Sequence, residues 1–479
     1  MGEEKNTRFR FEFNPSIKVE TRPERLTGDA GVLFLREAMH RLGVERFLKD
    51  RLYDSRDQRL ITHPLIELIR TSIFLIAQGW RDQDDADALR HDPSFKIGVS
   101  ERRGDAALRT PRDIMTPDGL ASQPTLSRLY SLLAADFQRE VLDDALFQIS
   151  SRRLRATRGH RLRYVTLDVD SLPIDVHGRQ EGSAYNGYYR RRIYHPLVAM
   201  VAETGDLMSV RLREGNVGTA NGGLSFILPL LDKMEKDYCQ VASVRIDAGF
   251  PEDKLLSALE ARGTGYVSRI RKNKRLNALA EKHLVQSVVK EPRESFHELT
   301  YKADKWSRER RVVLVIQRKP EELFPHYFFL LTNWTKKAMP GEDLLSLYRE
   351  RGTAEAHIGE FVEMVGTTLS STQRPKSHYR GEPTEKETVS VDPFAVNEVK
   401  LLLSSLAYGL LHTCRVLIGK ATREGWRLGR VVERVLKVPA RFLLHSKQVV
   451  VVPEAAAAAN WGLLKKRLML LHQLESRAG

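Results

Sequence analysis

The hydrophobic period of this chain changes near Tyr164, and that change constrains the fold more than any other feature of the sequence. From Pro23 to Arg155, apolar residues recur at spacings of three and four, which is the pattern of amphipathic helices. From Tyr164 onward, apolar and polar residues alternate as they do in strands. The sequence therefore predicts a helical N-terminal region followed by a region built on a sheet.

Strands and helices then follow one another in an order that predicts the type of sheet. The strands are expected at 164–170, 195–201, 207–212, 241–247 and 266–270, and the helices at 223–234 and 251–262. This order, β-β-β-α-β-α-β, gives a mixed sheet with helices on its faces. We therefore expect an α/β fold with a ribonuclease-H-like mixed sheet.

The remaining patterns divide the chain into regions. Strands are expected at 311–317 and 327–331, and helices at 343–365, 397–417 and 461–474. A stretch rich in Pro, Lys, Thr and Ser is typical of a mobile loop. The expected regions are a helical N-terminal region (1–155), the first part of the core (156–276), a β-rich insertion (277–340), the last core helix (341–369), the loop (370–392) and a C-terminal helical region (393–479).

The balance of charge indicates a polyanionic partner. Lys and Arg number 77 against 62 Asp and Glu, for a formal net charge of +15 and a pI near 9.7. Such an excess favours nucleic acid. An arginine-rich connector that includes Arg152 and Arg153 is either a solvated helix end or a strip that follows phosphates. A short helix that begins near Pro124 brings Arg128 forward as a further DNA contact, although most such helices are ordinary amphipathic ones.

Cysteine content and hydropathy bear on the compartment. The two cysteines, Cys239 and Cys414, are too far apart in sequence for a CxxC site, and they fit a reducing cytoplasm. The most apolar stretch, 401–411, contains serines and a glycine and is short for a membrane span. We expect a buried helix there and no membrane partner.

Acidic residues in unusual positions predict a metal site. Asp168 and Asp170 lie two apart in a strand, so both side chains project from one face, where they repel unless a cation or water separates them. Asp247 ends another strand, and sites in open α/β sheets form at that edge. Glu355 is the best third acid, on a predicted helix that also aligns Tyr348 and Arg351. Oxygen ligands from separate elements suit Mg²⁺, or Mn²⁺ in its place.

These residues also occur in motifs that resemble a known family, the DDE transposases of bacterial insertion sequences, and among them the group numbered thirteen-eighty. The resemblance spans roughly Pro23 to Leu411. Its motifs are 27–31, 79–82, 89–93, 122–128, 167–171, 177–188, 194–197, 212–216, 245–250, 272–276, the pattern Tyr348-x-x-Arg351-Gly352-x-x-Glu355, and Asn397.

The resemblance implies a DNA transposase that binds terminal inverted repeats, cleaves DNA at the ends of the element and joins the 3′-hydroxyls to target DNA. It implies a catalytic, metal-binding triad of Asp170, Asp247 and Glu355. Asp168 lies about 7 Å further from the end of the strand, at ~3.3 Å per residue, and we expect it either to support a metal ligand or to be a structural acid. The resemblance further implies that residues 1–155 bind the ends and dimerise, that a homodimer forms on double-stranded DNA, and that the protein works in the bacterial cytoplasm at the nucleoid.

Further DNA contacts follow from matching positions. They are expected at Tyr348 and Arg351, which would hold phosphates, and at Lys272, Lys274 and Arg275. Trp306, in the insertion, corresponds to an aromatic residue that stacks on a flipped base in related enzymes, although a partly buried sheet tryptophan is the plainer interpretation. The family usually has a lysine seven residues after its glutamate, where this chain has Val362, and a polar residue is common where Gly359 stands.

Two other classes compete with this interpretation. A transposase-derived DNA-binding protein without catalysis would retain the charge and the helical leader. A haloacid-dehalogenase-like phosphatase would use the motif 167–170, but it needs a later pair of acids, and Asp247 has Ile246 and Ala248 as neighbours. A Mg²⁺-dependent cleavage assay on end DNA separates the three classes.

Overall fold

The N-terminal part of the computed structural model is helical, as its apolar spacing predicts. Residues 10–19, 24–109, 118–157, 162–176, 178, 180–284, 289–320, 322–365, 369–370, 392–422, 425–445 and 448–471 are described. The first elements are β1 (Arg10–Phe11), β2 (Asn14–Lys18), β3 (Leu26–Thr27), α1 (Val32–Arg41), α2 (Val44–Arg51), α3 (Leu65–Ala77), α4 (Asp85–Ala88), α5 (Pro93–Val99), α6 (Gln123–Leu132) and α7 (Asp136–Thr157).

The sheet region begins where the hydrophobic period changes. Its elements are β4 (Tyr164–Ser171), β5 (Ile174–Asp175), β6 (Ala184–Asn186), β7 (Arg191–Tyr194), β8 (Leu197–Val201), β9 (Leu207–Arg211), α8 (Gly223–Asp237), β10 (Gln240–Ile246), α9 (Asp253–Arg262), β11 (Gly265–Ile270), α10 (Lys274–Glu281), β12 (Arg293–Tyr301), β13 (Arg310–Arg318), β14 (His326–Thr332), α11 (Gly341–Arg349) and α12 (Arg351–Val365). Each predicted strand of the core is confirmed to within two residues.

The strand order identifies the sheet. It is β12-β13-β14-β11-β10-β4-β8-β9, with β4 parallel to β10, β10 parallel to β11, and the other neighbours antiparallel. The part from β9 to β11 has the ribonuclease-H order, so the predicted fold class is confirmed. The predicted β-rich insertion supplies β12, β13 and β14, which lengthen the same sheet beyond β11.

The C-terminal part packs on the N-terminal helices. It consists of α13 (Pro393–Leu417), α14 (Leu428–Val431), β15 (Ala440–His445), β16 (Gln448–Pro453) and α15 (Ala458–Leu471). Helix α13 is long and apolar enough to cross a membrane, but 83 % of its most apolar window is buried against the rest of the protein. It is the central helix of the largest core, in contact with α1, α3 and α7, so stretch 401–411 is buried as expected.

Two sequence-based expectations differ from the structure, and a third falls on residues outside its described part. The predicted helix 343–365 is divided: α11 ends at Arg349 and α12 begins at Arg351. The carbonyl of Leu347, which would accept a helical hydrogen bond, accepts one from the Arg245 side chain at 2.7 Å. The C-terminal region, expected to be helical, contains the β15–β16 hairpin, whose valine run favours a strand. The loop predicted at 370–392 lies outside the described residues, except for its two end residues.

Candidate active site

Two of the predicted acids meet at the carboxyl edge of the sheet. The parallel register pairs Arg245 with Asp168 and Ile246 with Val169, so one further step sets Asp247 beside Asp170. Both carboxylates lie where β4 and β10 end, which is the edge at which open α/β sheets build their sites. Asp170 and Asp247 are far apart in the sequence, and the parallel pairing of β4 and β10 makes them neighbours in the structure.

Asp170 is the electrostatic centre of this edge. Its side chain is 19 % exposed, and one carboxylate oxygen accepts a hydrogen bond from the backbone N–H of Ser171 at 2.9 Å. Burial raises the pKa of Asp170 to about 6; Arg351 opposes this effect, while the negative charges of Asp247 and Glu355 add to it. Three carboxylates thus share one small region, and the charges of Asp247 and Glu355 make the ionisation of Asp170 harder.

Helix α12 brings Arg351 and Glu355 to the same edge. The Arg351 guanidinium forms ion pairs with Asp170 and, at 2.7 Å, with Glu355. Burial alone would lower the pKa of Arg351, but Asp170, Tyr348, Asp247 and Glu355 outweigh it and raise the pKa. Tyr348, Arg351 and Glu355 remain close to one another despite the break between α11 and α12, since the charges of Arg351 and Glu355 both act on the Tyr348 hydroxyl.

Tyr348 lies close to these charges. Its ring is half-buried, and the pKa of its hydroxyl is raised, first by burial and then by Asp247 and Glu355, against the opposing charges of Arg351 and Arg269. The phenol, the guanidinium and the acids therefore form one cluster, which we call the acidic centre: Asp170, Asp247, Tyr348, Arg351 and Glu355.

Asp168 has a different environment from Asp170. It is 3 % exposed and forms a bidentate ion pair with Arg245, whose Nε and Nη2 donate at 2.6 and 2.7 Å. Burial raises the pKa of Asp168 and Arg245 opposes this rise; the bidentate geometry is that of an ionised carboxylate. Because Arg245 also binds the carbonyl of Leu347, this pair ties β4 and β10 to the end of α11.

Most of the predicted DNA contacts are exposed or half-buried, and two are buried. Lys272, Lys274, Arg275 and Arg128 are exposed, with Lys272 stacked on the Tyr327 ring and Arg275 paired to Asp304 at 2.8 Å. Arg152 binds the carbonyl of Leu42 at 2.8 Å and Gln148 at 2.9 Å, and it is half-buried.

Two predicted contacts are buried, and the structure corrects them. Arg153 is 3 % exposed and forms an ion pair with Asp206, so it cannot follow DNA phosphates at the surface. Trp306 is 6 % exposed and packs edge-to-face on Tyr301, with Arg310 over its ring. This supports the plainer interpretation of a sheet tryptophan, because a base can reach that ring only if the core opens.

The two departures from the family pattern lie on α12. Val362 is half-buried and packs on the largest hydrophobic core, which gives it a structural role in place of the usual lysine. Gly359 is exposed, and a Cβ at that position meets no other atom within 4 Å.

Sequence reasoning missed the tyrosines and arginines that follow Asn186. Tyr189 is half-buried close to Asp170 and Asp247, and both charges, after burial itself, raise the pKa of its hydroxyl. The sequence signal was present, since residues 185–192 place three tyrosines before three consecutive arginines, and such a combination of aromatic and basic residues is typical of nucleic-acid contacts.

Fold and site together define an α/β protein with a ribonuclease-H-like sheet and an acidic centre at its carboxyl edge. A family model described as transposase DDE domain group 1 matches residues 9–380. The chain belongs to this family of DDE transposases.

Two further comparisons complete this result. Among solved structures, the chain is similar to a piggyBac transposase in a synaptic complex with hairpin DNA, determined by cryo-EM. The identity is 13 % and the TM-score 0.35, over 94 % of this chain and 83 % of that one. No relative is found among curated proteins.

Proposed function

We propose that this protein is a DNA transposase that binds the terminal inverted repeats of an insertion sequence, cleaves the DNA at the ends of the element and joins the 3′-hydroxyls to target DNA. The observation that carries the proposal is the meeting of Asp170 and Asp247 at the ends of parallel strands, with Glu355 joined to them through Arg351. Membership of the DDE transposase family supports it.

The acidic centre suits divalent cations by its chemistry. Its ligands are carboxylates from separate elements, which Mg²⁺ and Mn²⁺ prefer. Among the described residues, no three acidic, histidine or cysteine side chains are already gathered around one point. Glu355 is 58 % exposed and is held by Arg351, and in this proposal its side chain turns toward Asp170 and Asp247 when a cation binds.

A cation pair bound there would activate a water or a 3′-hydroxyl and stabilise the leaving oxygen. The protein supplies the geometry. Asp170 and Asp247 provide fixed carboxylates from the sheet, and Glu355 provides one from a helix. The Arg245–Asp168 pair holds the two strands and the end of α11 in register, so these carboxylates start from defined positions.

Arg351 has two roles in this proposal. Without cations it neutralises Asp170 and Glu355, which otherwise repel one another. Once those carboxylates hold cations, the Arg351 guanidinium can bind a phosphate of the DNA strand, because its planar arrangement of N–H groups matches two phosphate oxygens. Tyr348, in the same cluster, is placed to donate a hydrogen bond to a neighbouring phosphate oxygen.

The proposed substrate is the double-stranded DNA of the element's ends and of the target, and the proposed assembly is a homodimer that holds two ends at once. The net charge of +15 and the exposed Lys272, Lys274, Arg275 and Arg128 support binding to phosphates. On the described part of the chain, these side chains lie outside the main hydrophobic cores and are open to a partner.

The experiment uses the full chain and duplexes that carry the DNA flanking its gene. Wild-type protein is incubated with labelled duplex and supercoiled plasmid in Mg²⁺, in Mn²⁺ and in EDTA. We expect strand breaks at one defined position and joined products in the plasmid with either cation, and neither in EDTA. Asp247→Asn should abolish both products and keep duplex binding. Binding without any cleavage by the wild type would instead establish a transposase-derived DNA-binding protein.

A further inference from the structure

The most exposed large apolar side chain in the described part of the molecule lies beside the acidic centre. Tyr188 is 84 % exposed and belongs to the turn between β6 and β7. We call residues 187–190 the tyrosine turn. Strand β5, which begins three residues after β4 ends, joins it to the carboxyl edge of β4 through the small sheet β5-β7-β6. A solvated aromatic ring at such a place indicates a surface for binding.

The tyrosine turn has a fixed conformation. The Asn186 side-chain oxygen accepts hydrogen bonds from the backbone N–H groups of Tyr188 and Tyr189, at 3.1 and 3.4 Å. The N–H of Arg190 donates to the Asn186 carbonyl at 2.8 Å, and Arg190 has a φ of +55°, which only a well-determined turn imposes on a side chain of this size. The backbone of the tyrosine turn is therefore fixed, and the Tyr188 ring projects from it into solvent.

Tyr189 connects the exposed ring to the acids. Its ring packs edge-to-face on Tyr188, with centroids 4.9 Å apart, and edge-to-face on His195 at 5.8 Å. His195 is 3 % exposed and bonds the carbonyl of Val217 at 3.1 Å, so it is a rigid support. The sheet β5-β7-β6 connects the turn to the end of β4, and the charges of Asp170 and Asp247 act on the Tyr189 hydroxyl, so the turn lies at the side of the molecule that carries the acidic centre.

Positive charge surrounds the same turn. Arg190, Arg191 and Arg192 are exposed; Arg191 pairs with Asp175 at 2.6 Å. Arg192 donates to the carbonyl and hydroxyl of Ser183 at 2.6 and 3.0 Å. Neither Arg190 nor Arg192 forms an ion pair with a carboxylate of the described residues. The Arg190 guanidinium, and the N–H groups of Arg192 other than those of Nη1, thus remain available to phosphates next to an exposed aromatic ring.

We propose that the tyrosine turn is a nucleotide-binding site in which Tyr188 stacks on an unpaired base of DNA and Arg190 and Arg192 neutralise the adjoining phosphate. The inference rests on the proposed function, because it places this nucleotide next to the phosphate that the acidic centre attacks. Bases inside a duplex have both faces covered by their neighbours, so a projecting ring selects a base that has left the stack.

The test compares a blunt DNA duplex with the same duplex carrying a short unpaired tail that contains 2-aminopurine, in Ca²⁺ so that binding is measured without cleavage. Fluorescence quenching reports stacking, and titration gives the affinity. The wild type should quench the probe and bind the tailed duplex about ten-fold more tightly than the blunt one, as expected for one stacked base. Tyr188→Ala should lose both effects, and Tyr188→Phe should keep both.

The matched control is Tyr164→Ala. Tyr164 is 60 % exposed at the opposite end of β4, about 20 Å from the acids at ~3.3 Å per residue. It should behave like the wild type. Because both tyrosines are solvent-exposed, neither change should alter thermal unfolding, which is measured alongside.

The inference is overturned if the wild type binds both duplexes equally, if Tyr188→Ala keeps the preference, or if Tyr164→Ala loses it equally. These outcomes differ from a failure of the proposed function. A protein that cuts the flanking DNA but shows no Tyr188-dependent stacking refutes only the nucleotide site. A protein that stacks the probe through Tyr188 but never cuts DNA with Mg²⁺ or Mn²⁺ refutes only the proposed reaction.

Discussion

Asparagine substitutions at Asp168 and Asp170 should change stability in opposite directions, although the two residues lie on one face of the same strand. Asp168 is fully engaged by Arg245, which is 1 % exposed. Removing one partner of a buried pair leaves the other charge uncompensated and costs about 3–5 kcal/mol. Asp168→Asn should therefore lower the free energy of unfolding by about that amount. The double variant Asp168→Leu/Arg245→Met should recover much of the loss.

Asp170→Asn removes a carboxylate that burial and two like charges make costly even beside Arg351, and it leaves the Arg351 guanidinium paired with Glu355. The folded-state pKa is raised from the ordinary value of 3.8 to about 6. A raised pKa contributes stability that is present below about pH 4 and lost as the pH rises through about 6. Above that range the ionised carboxylate costs up to ~3 kcal/mol, from ~1.4 kcal/mol per pKa unit. Without divalent cations, Asp170→Asn should therefore stabilise the protein at neutral pH and change little at pH 4.

The assay is urea unfolding followed by tryptophan fluorescence, in EDTA, at several pH values for wild type and each variant. Identical effects of Asp168→Asn and Asp170→Asn at neutral pH would refute the distinction between them. So would an Asp170→Asn stabilisation that does not grow between about pH 4 and pH 6. Adding Mn²⁺ should stabilise the wild type more than Asp170→Asn, because a bound cation offsets the repulsion.

Three further predictions concern other sites. Val362→Lys should lengthen the lifetime of cleaved-end complexes without changing the affinity for uncut DNA. It should also lower the free energy of unfolding, because Val362 packs on the core. An unchanged lifetime would mean that another residue already holds the end. Gly359→Ala should raise the free energy of unfolding by ~0.5–1 kcal/mol, since the added Cβ meets open space. Gly263→Ala should lower it, because Gly263 has a φ of +72°. Equal effects of the two changes would contradict this explanation from backbone conformation. Arg128→Ala should weaken DNA binding and reduce the slope of log affinity against log salt by about one, without loss of stability. Arg153→Ala should instead destabilise the fold and leave the slope unchanged, because Arg153 is paired with Asp206. The reverse pattern in binding titrations would refute this assignment.

The core of the fold was predictable from sequence because its strands are buried and strongly apolar. Every residue of β8 is buried, and a strand of this kind can be predicted from its apolar composition alone. The missed strand β12 lies at the edge of the sheet, and only two of its nine residues are buried, so charged and polar side chains hide its period. The break at Glu350 could not be predicted, because it accompanies a tertiary hydrogen bond from Arg245 to the carbonyl of Leu347.

The candidate site was predictable to a different extent. Carboxylates in strands are unusual enough to be noticed, and parallel strand ends meet at one edge, so Asp170 and Asp247 could be paired in advance. The burial of Arg153 and Trp306 could not be predicted, because a residue's type does not reveal which residues it contacts in the folded protein. Arg153 forms an ion pair with Asp206, and Trp306 packs on Tyr301. The role of Asp168 likewise depends on a cross-strand register.

Single-turnover cleavage of the flanking DNA in Mg²⁺ by Asp170→Asn, Asp247→Asn and Glu355→Gln tests the central claim most directly. Each change preserves the shape of the side chain and removes one negative charge. We predict that all three variants bind the duplex as the wild type does and cut none of it, while Asp168→Asn, examined where it remains folded, retains measurable cleavage. Cleavage by any of the three at the wild-type rate, or a complete loss with folded Asp168→Asn beside active Asp170→Asn, would contradict the assignment of Asp170, Asp247 and Glu355 as the catalytic acids.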